Sequence, residues 1–243
     1  MKRFAGARRV VFTHAHPDDE TLATGALIAE LVDQGIECLV LTATRGERGE
    51  LVKGRFPGLE GEEFVAHREG ELAAALRTLG AGKPMFLGEP PARAEGLEPR
   101  RYEDSGMRWV REGEAGPAED SGPESLTAAD SDETVADLVA GLAALAPDVV
   151  VTYDEDGGYF HPDHVRLHHL TKAACAELGV PLVELLSDDE ADGQWWDLEH
   201  WLPQVQAALE CHQTQLTVSD RDVIHSGGQK EPIRLRIGVR RAD

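Results

Sequence analysis

Ala15-His16-Pro17-Asp18-Asp19-Glu20 is the stretch from which the fold of this chain can be read. It follows an apolar run, Val10-Val11-Phe12, and precedes a helix-like pattern. It is therefore read as the loop leaving a buried strand, where open α/β sheets place their ligands. A second segment, His161-Pro162-Asp163-His164, follows Val149-Val150-Val151 and also leads into a helical pattern. Two strand-end loops carrying imidazoles and carboxylates supply ligands from separate rigid elements. Catalytic zinc typically takes three such ligands and leaves a fourth position for water. The pair predicts a metal-dependent hydrolytic site.

Working outward, the pattern alternates. Arg9–His14 reads as a strand, and residues 20–34 as a helix with Leu27, Ile28, Leu31 and Val32 on one face and Gly35 as its stop. Glu37–Thr42 is the near-continuous apolar run of a buried parallel strand. Residues 62–79 read as a helix and 84–87 as a short strand. Residues 88–131 lose periodicity and are dense in Pro, Gly, Glu and Asp, which predicts a long, partly mobile loop or lid. A helix over 131–146 with an acidic first turn, a strand over 149–152, a helix over 164–178 and a strand over 181–186 follow. Residues 200–213 suggest a last helix, and 233–239 alternate apolar and basic like an edge strand. The expectation is one domain over 1–243: an α/β, Rossmann-like, doubly wound and mainly parallel sheet, least regular over 187–243.

Composition narrows the partners. With 45 Asp+Glu against 24 Lys+Arg and a formal charge of −21, no nucleic acid and no anionic membrane surface is expected as a partner. Cys38, Cys175 and Cys211 are odd in number, widely spaced and without a CxxC, so buried free thiols are expected rather than a disulfide framework. Neither a signal-peptide core nor a membrane-length apolar run is present, and a cytoplasmic address is expected. The oligomeric state is left open.

Pro17 pushes His16 towards an extended conformation, so His16 and Asp19 can converge while Asp18 points elsewhere. Asp18, Asp19 and Glu20 could instead cap the next helix, a reading that leaves His16 and the second segment unexplained. Of His161 and His164, one can ligate and the other face a substrate; Asp163 could cap its helix or orient a histidine. His164 with His168 forms an alternative i, i+4 pair one turn deeper. His169 is expected in solvent and His14 behind the site. No G-x-G-x-x-G follows the first strand, which disfavours a dinucleotide site. A phospho-receiver reading of the acidic pair gives no role to His16 or His164.

AHPDDE with a distal HPDH resembles the PIG-L/LmbE-like metal-dependent de-N-acetylases, over about residues 9–179. The intervening motifs are Gly46-Glu47-Arg48-Gly49-Glu50, His67-Arg68-Glu69-Gly70-Glu71-Leu72, Asp104-Ser105-Gly106-Met107 and Gly157-Gly158-Tyr159-Phe160. They resemble most the branch that deacetylates N-acetylglucosaminyl-inositol in mycothiol biosynthesis. The resemblance implies His16, Asp19 and His164 as ligands of Zn²⁺ (or Fe²⁺) and Asp18 as general base. It implies His161, held by Asp163, and Tyr159 as oxyanion stabilisers. Arg68, Asp104 and Glu50 would contact the sugar and its polyol, and Met107 would line the pocket of a small amino-sugar conjugate. Without it, Arg68 among Glu62, Glu63, Glu69 and Glu71 reads as a surface ion-pair partner, Glu50 as solvated loop and Asp104 as a turn residue. Phe160 departs from the small residue common before HPDH, and either narrows the pocket or packs beneath the loop. Ala23 stands where related thiol-conjugate amidases tend to carry lysine, which favours deacetylation. The alternatives are conjugate amide cleavage, deacetylation of an antibiotic sugar, or metal or sugar binding without catalysis; the last would be signalled by loss of Asp18 or His161.

Overall fold

The structure, a computed structural model, describes residues 1–111, 114–187 and 193–242. Its centre is β1 (Arg9–His14), paired in parallel with β2 (Glu37–Thr42) on one side and β6 (Val149–Tyr153) on the other. The apolar residues of β1 divide between its two faces. Val10 and Phe12 enter one core with α1 (Asp19–Asp33) and α2 (Gly61–Leu79), and Val11 enters the other with α3 (Ser131–Leu145) and α5 (Pro162–Leu178). A strand buried on both faces explains the continuous hydrophobic run. The sheet has the order β3-β2-β1-β6-β7-β12-β8, with β3 (Met85–Phe86) and β7 (Leu182–Leu186) completing the parallel part. Strand order reverses between β1 and β6, and at this switch point the loops after both strands face one crevice.

Two antiparallel strands differ from expectation. β12 (Arg236–Arg241) lies between β7 and β8 (Gln194–Asp197), so the alternating tail is an interior strand and β8 is the edge. Ile237 and Val239 are fully buried while Arg236 and Arg240 take the other face, an alternation that an edge strand and a one-faced interior strand share. The last helix, α6 (Leu202–Leu209), is shorter than 200–213 because Pro203 fits only its first turn. It leads into a three-stranded sheet of β9 (Leu216–Ser219), β10 (Asp222–His225) and β11 (Lys230–Pro232).

The 88–131 segment is anchored at both ends. Ala92, Tyr102, Leu126 and Ala129 are buried in the α3/α5 core, and Arg93 and the Tyr102 hydroxyl both donate to Asp137 of α3. The hairpin β4 (Arg108–Arg111) with β5 (Glu114–Gly116) lies between these anchors. Asp130 caps α3, its carboxylate accepting from the Glu133 N–H. Residues 188–192 of the irregular C-terminal region lie outside the described residues. As expected, Cys38 and Cys175 are buried free thiols; Cys211 is half-buried and also free.

Candidate metal and active site

The crevice is built from the N-terminus of α1 and from α4 (Gly157–Phe160), a distorted turn feeding α5. Asp18 has φ of 107°, a left-handed conformation that is costly for a residue with a Cβ. Its side chain makes no capping bond to α1, so the capping alternative is not the role the structure gives it. His161 does cap α5, its Nδ1 accepting the Asp163 N–H at 3.2 Å with Pro162 in the first turn.

The hydrogen bonds around the histidines select their tautomers. His164 Nδ1 donates to the Gly157 carbonyl at 3.0 Å, leaving Nε2 for a ligand; that atom is buried without a hydrogen-bond partner. His16 Nε2 donates to Asp163 Oδ2 at 3.1 Å, which turns Nδ1 inward. His16 Nδ1 and His164 Nε2 each lie 3.3 Å from Asp19 Oδ2. Two imidazole lone pairs facing a carboxylate repel it unless a cation intervenes, either a proton on the ring or a metal. Burial would lower the pKa of His16, yet Asp104, Asp163 and Asp19 outweigh it and hold it well above its ordinary value. Asp19 is held well below the carboxylate range, against its burial, by His164 and His16. A divalent metal replaces such protons, and two imidazoles with one carboxylate suit Zn²⁺ or Fe²⁺. His16, His161 and His164 also offer nitrogens within 4.8 Å of one another.

The expected pairing of Asp163 with the His161 ring differs from the contacts observed. The Asp163 carboxylate is taken by His16 and by the N–H and hydroxyl of Ser105, so it orients a candidate ligand. His161 is held well below its ordinary pKa by burial and by His164 and His16. Neutral, and accepting at Nδ1, it presents an Nε2–H donor. The Tyr159 ring stands edge-on to both His161 and His164, with its side chain 47% exposed. Tyr153, at the end of β6, donates to Asp19 Oδ2 at 2.8 Å, and His14 contacts its hydroxyl from behind. His168 is turned away, contacting the Tyr153 carbonyl through Nδ1 at 2.9 Å, and His169 is exposed. The His164–His168 alternative therefore has no geometric support.

Arg68 is only 2% exposed and is not a surface ion-pair partner. Its guanidinium donates to the Pro17 and Gly46 carbonyls and, at 3.1 Å, to Asp18 Oδ2. Burial pushes the Asp18 carboxyl up to about 6 against the opposing pull of Arg68. Asp104 is buried with Oδ1 3.6 Å from His16 Nε2, and its N–H donates to Glu47 Oε1 at 2.9 Å. Glu47 is thus the carboxylate of the second-strand loop that reaches the site, whereas Glu50 is exposed. Met107, Ala23 and Tyr159 line a cavity of about 850 Å³ that runs from Asp19 and His164 to Val223, His225 and Leu235 of the C-terminal part. Phe160 is 41% exposed, with φ of 62°, and stands outside the cavity wall and not beneath its loop.

The sequence reading also missed the support beneath Asp18. Glu20 Oε2 accepts the Asp18 N–H at 2.9 Å, and Glu20 Oε1 lies 2.9 Å from Nε2 of buried His212. Burial lowers the His212 pKa, but Glu20 outweighs it and the net shift is upward. His212 lies after α6 at no diagnostic spacing.

Residues 11–175 match the PIG-L family, described as GlcNAc-PI de-N-acetylase. A 1D-myo-inositol 2-acetamido-2-deoxy-alpha-D-glucopyranoside deacetylase of Kineococcus radiotolerans is 42% identical over 72% of this chain and 46% of its own length. The enzyme of the same name from Rhodococcus opacus is 39% identical over 84% of this chain and 64% of its own length. The chain thus spans roughly half to two-thirds of these relatives. The N,N'-diacetylchitobiose deacetylase of Pyrococcus horikoshii superposes with a TM-score of 0.63 at 20% identity, over 88% of this chain and 72% of that one, a likeness of fold.

Proposed function

Because the chain belongs to the PIG-L family, we propose that it is a metal-dependent hydrolase that removes the acetyl group from an N-acetylglucosaminide, with N-acetylglucosaminyl-inositol as the substrate. The observation that carries the reading is the convergence of His16 Nδ1 and partnerless His164 Nε2 on Asp19, with Asp18 held beside them in a strained conformation. His16, Asp19 and His164 would hold the ion, for which zinc is the proposed identity. A bound divalent metal would polarise the amide carbonyl and acidify water.

The chain supplies the rest. Asp18 takes a proton from the attacking water and delivers it to the departing amine, a task for which a carboxyl tuned near 6 is suited. His161, through Nε2–H, and the Tyr159 hydroxyl donate to the oxyanion as charge develops on the former carbonyl oxygen. Asp163 fixes the ring of His16, and Arg68 fixes Asp18. Met107 lines the cavity where the sugar and its polyol would lie, and Asp104 stands buried beside His16. The acidic surface and the absence of a membrane-length apolar helix among the described residues agree with a small polar substrate.

Amine release from N-acetylglucosaminyl-inositol, N-acetylglucosaminyl-malate and mycothiol conjugates, assayed side by side on the metal-loaded protein, tests the reading. The inositol conjugate is expected to give the highest kcat/KM. Preference for a thiol conjugate would reassign the chain to amide cleavage of conjugates, and inactivity on all three would remove the proposal.

A further inference from the structure

Asp18 is the one residue of the AHPDDE stretch with a positive φ, and something must hold it there. Arg68 grips the Pro17 carbonyl and the Asp18 carboxylate from one side. From the other side, the fully buried Glu20 accepts the Asp18 N–H through Oε2. Glu20 Oε1 in turn receives the Thr21 hydroxyl and the Nε2–H of His212, which is 1% exposed. Left alone, a glutamate at this place could swing to other donors or bond the free N–H groups of the α1 terminus. His212 removes that freedom, because its ring is itself packed in the core behind α1.

We propose that His212 is a positioning residue for Asp18: it fixes the Glu20 carboxylate, which in turn holds the Asp18 backbone in its strained, productive conformation. His212 lies beyond the region that matches the family, just after α6, which packs against α1 and α2, so the C-terminal part reaches the catalytic loop from behind. The inference rests on the reading of Asp18 as the proton-transfer group. Misplacing such a group by about 1 Å costs on the order of 100-fold.

The test compares His212→Ala, His212→Gln and His212→Asn in metal-loaded protein. A glutamine amide nitrogen reaches the place of Nε2 and can still donate to Glu20; an asparagine is one methylene too short. His212→Ala should retain one equivalent of metal and lose about 10- to 100-fold in kcat with KM within about threefold. His212→Gln should recover most of that loss and His212→Asn should not. In a crystal structure of His212→Ala, Asp18 should relax from φ near 107°. The inference is overturned if His212→Ala turns over within about twofold of wild type, if the Gln and Asn variants are equally impaired, or if metal is lost in step with activity. If the alanine variant does not fold, the Gln and Asn variants carry the same comparison. A wild-type protein inactive on every substrate would instead defeat the functional reading, while the Asp18 backbone in the variant would still report on the clamp.

Discussion

Replacing Arg68 separates two uses of a guanidinium that sequence alone does not tell apart. A substrate-binding arginine would lower KM; a clamp on Asp18 would raise kcat. The structure places Arg68 on the Pro17 and Gly46 carbonyls and on the Asp18 carboxylate, all within the protein. Arg68→Ala therefore takes its donor from the Pro17 carbonyl and its counter-charge from the largely buried Asp18 carboxylate, while the Gly46 carbonyl keeps the Gly49 N–H. Orphaned buried groups cost about 1–3 kcal/mol each and a broken buried ion pair about 3–5 kcal/mol. These losses share one side chain and are not additive, so the expected destabilisation is about 3–5 kcal/mol, or roughly 6–20 °C in Tm for a domain of this size. Freed from the clamp, Asp18 should lose on the order of 100-fold in kcat, with KM changed by less than about threefold. Arg68→Lys keeps the charge but cannot span three acceptors and should fall between. Gly46→Ala should imitate Arg68→Ala, because a Cβ there falls on the guanidinium and Gly46 has φ of 64°. Steady-state kinetics with a thermal melt is the assay. A raised KM with unchanged kcat and Tm would refute the clamp and make Arg68 a substrate contact.

Other expectations follow from the same geometry. His16→Ala, Asp19→Ala and His164→Ala should each purify without stoichiometric metal, whereas His168→Ala should retain it, as read by elemental analysis. Asp163→Asn should weaken metal affinity by about 10- to 100-fold in competitive chelator titration, since His16 loses its orienting carboxylate. His225 is raised from 6.5 by its hydrogen bond with Glu231, and Glu231 is lowered from 4.5 by the same bond. The His225 contribution is complete below 6.5 and lost as pH rises through its folded value; that of Glu231 is present above 4.5 and lost as pH falls through its folded value. The destabilisation caused by His225→Gln should therefore peak between pH 4.5 and 6.5 in pH-dependent denaturation, and a flat profile would contradict the pairing. Burial pushes Cys38 and Cys175 up to about 12, so a thiol reagent at pH 8 should modify no more than Cys211 in the native protein.

The parallel half of the sheet was legible because β1, β2 and β6 are buried on both faces and the helices between them carry a clear period. The placement of β12 was not, since alternation reports one polar face and says nothing of neighbours on either side. The residues at the metal site were legible because both loops announce themselves as short motifs at strand ends. Their partners were harder: Asp163 sits in the first turn of α5, where it could as well have capped the helix as oriented a histidine, and its carboxylate crosses to His16. Arg68 sits in a glutamate-rich helix and looks solvated until the fold buries it against Pro17. Glu47 and Glu50 share one short motif, and only the turn of the loop decides which faces Asp104. His212 meets Glu20 across 192 residues of sequence, a contact that tertiary packing alone creates.

The central claim is that a metal held by His16, Asp19 and His164 works with Asp18 as the proton carrier. Asp18→Asn tests it most directly, by metal content and amine release on the same preparation. An amide keeps the size of the side chain and cannot shuttle a proton. The variant is expected to hold one equivalent of metal and to lose about 100- to 10,000-fold in kcat. Turnover close to wild type in metal-replete Asp18→Asn would contradict the account.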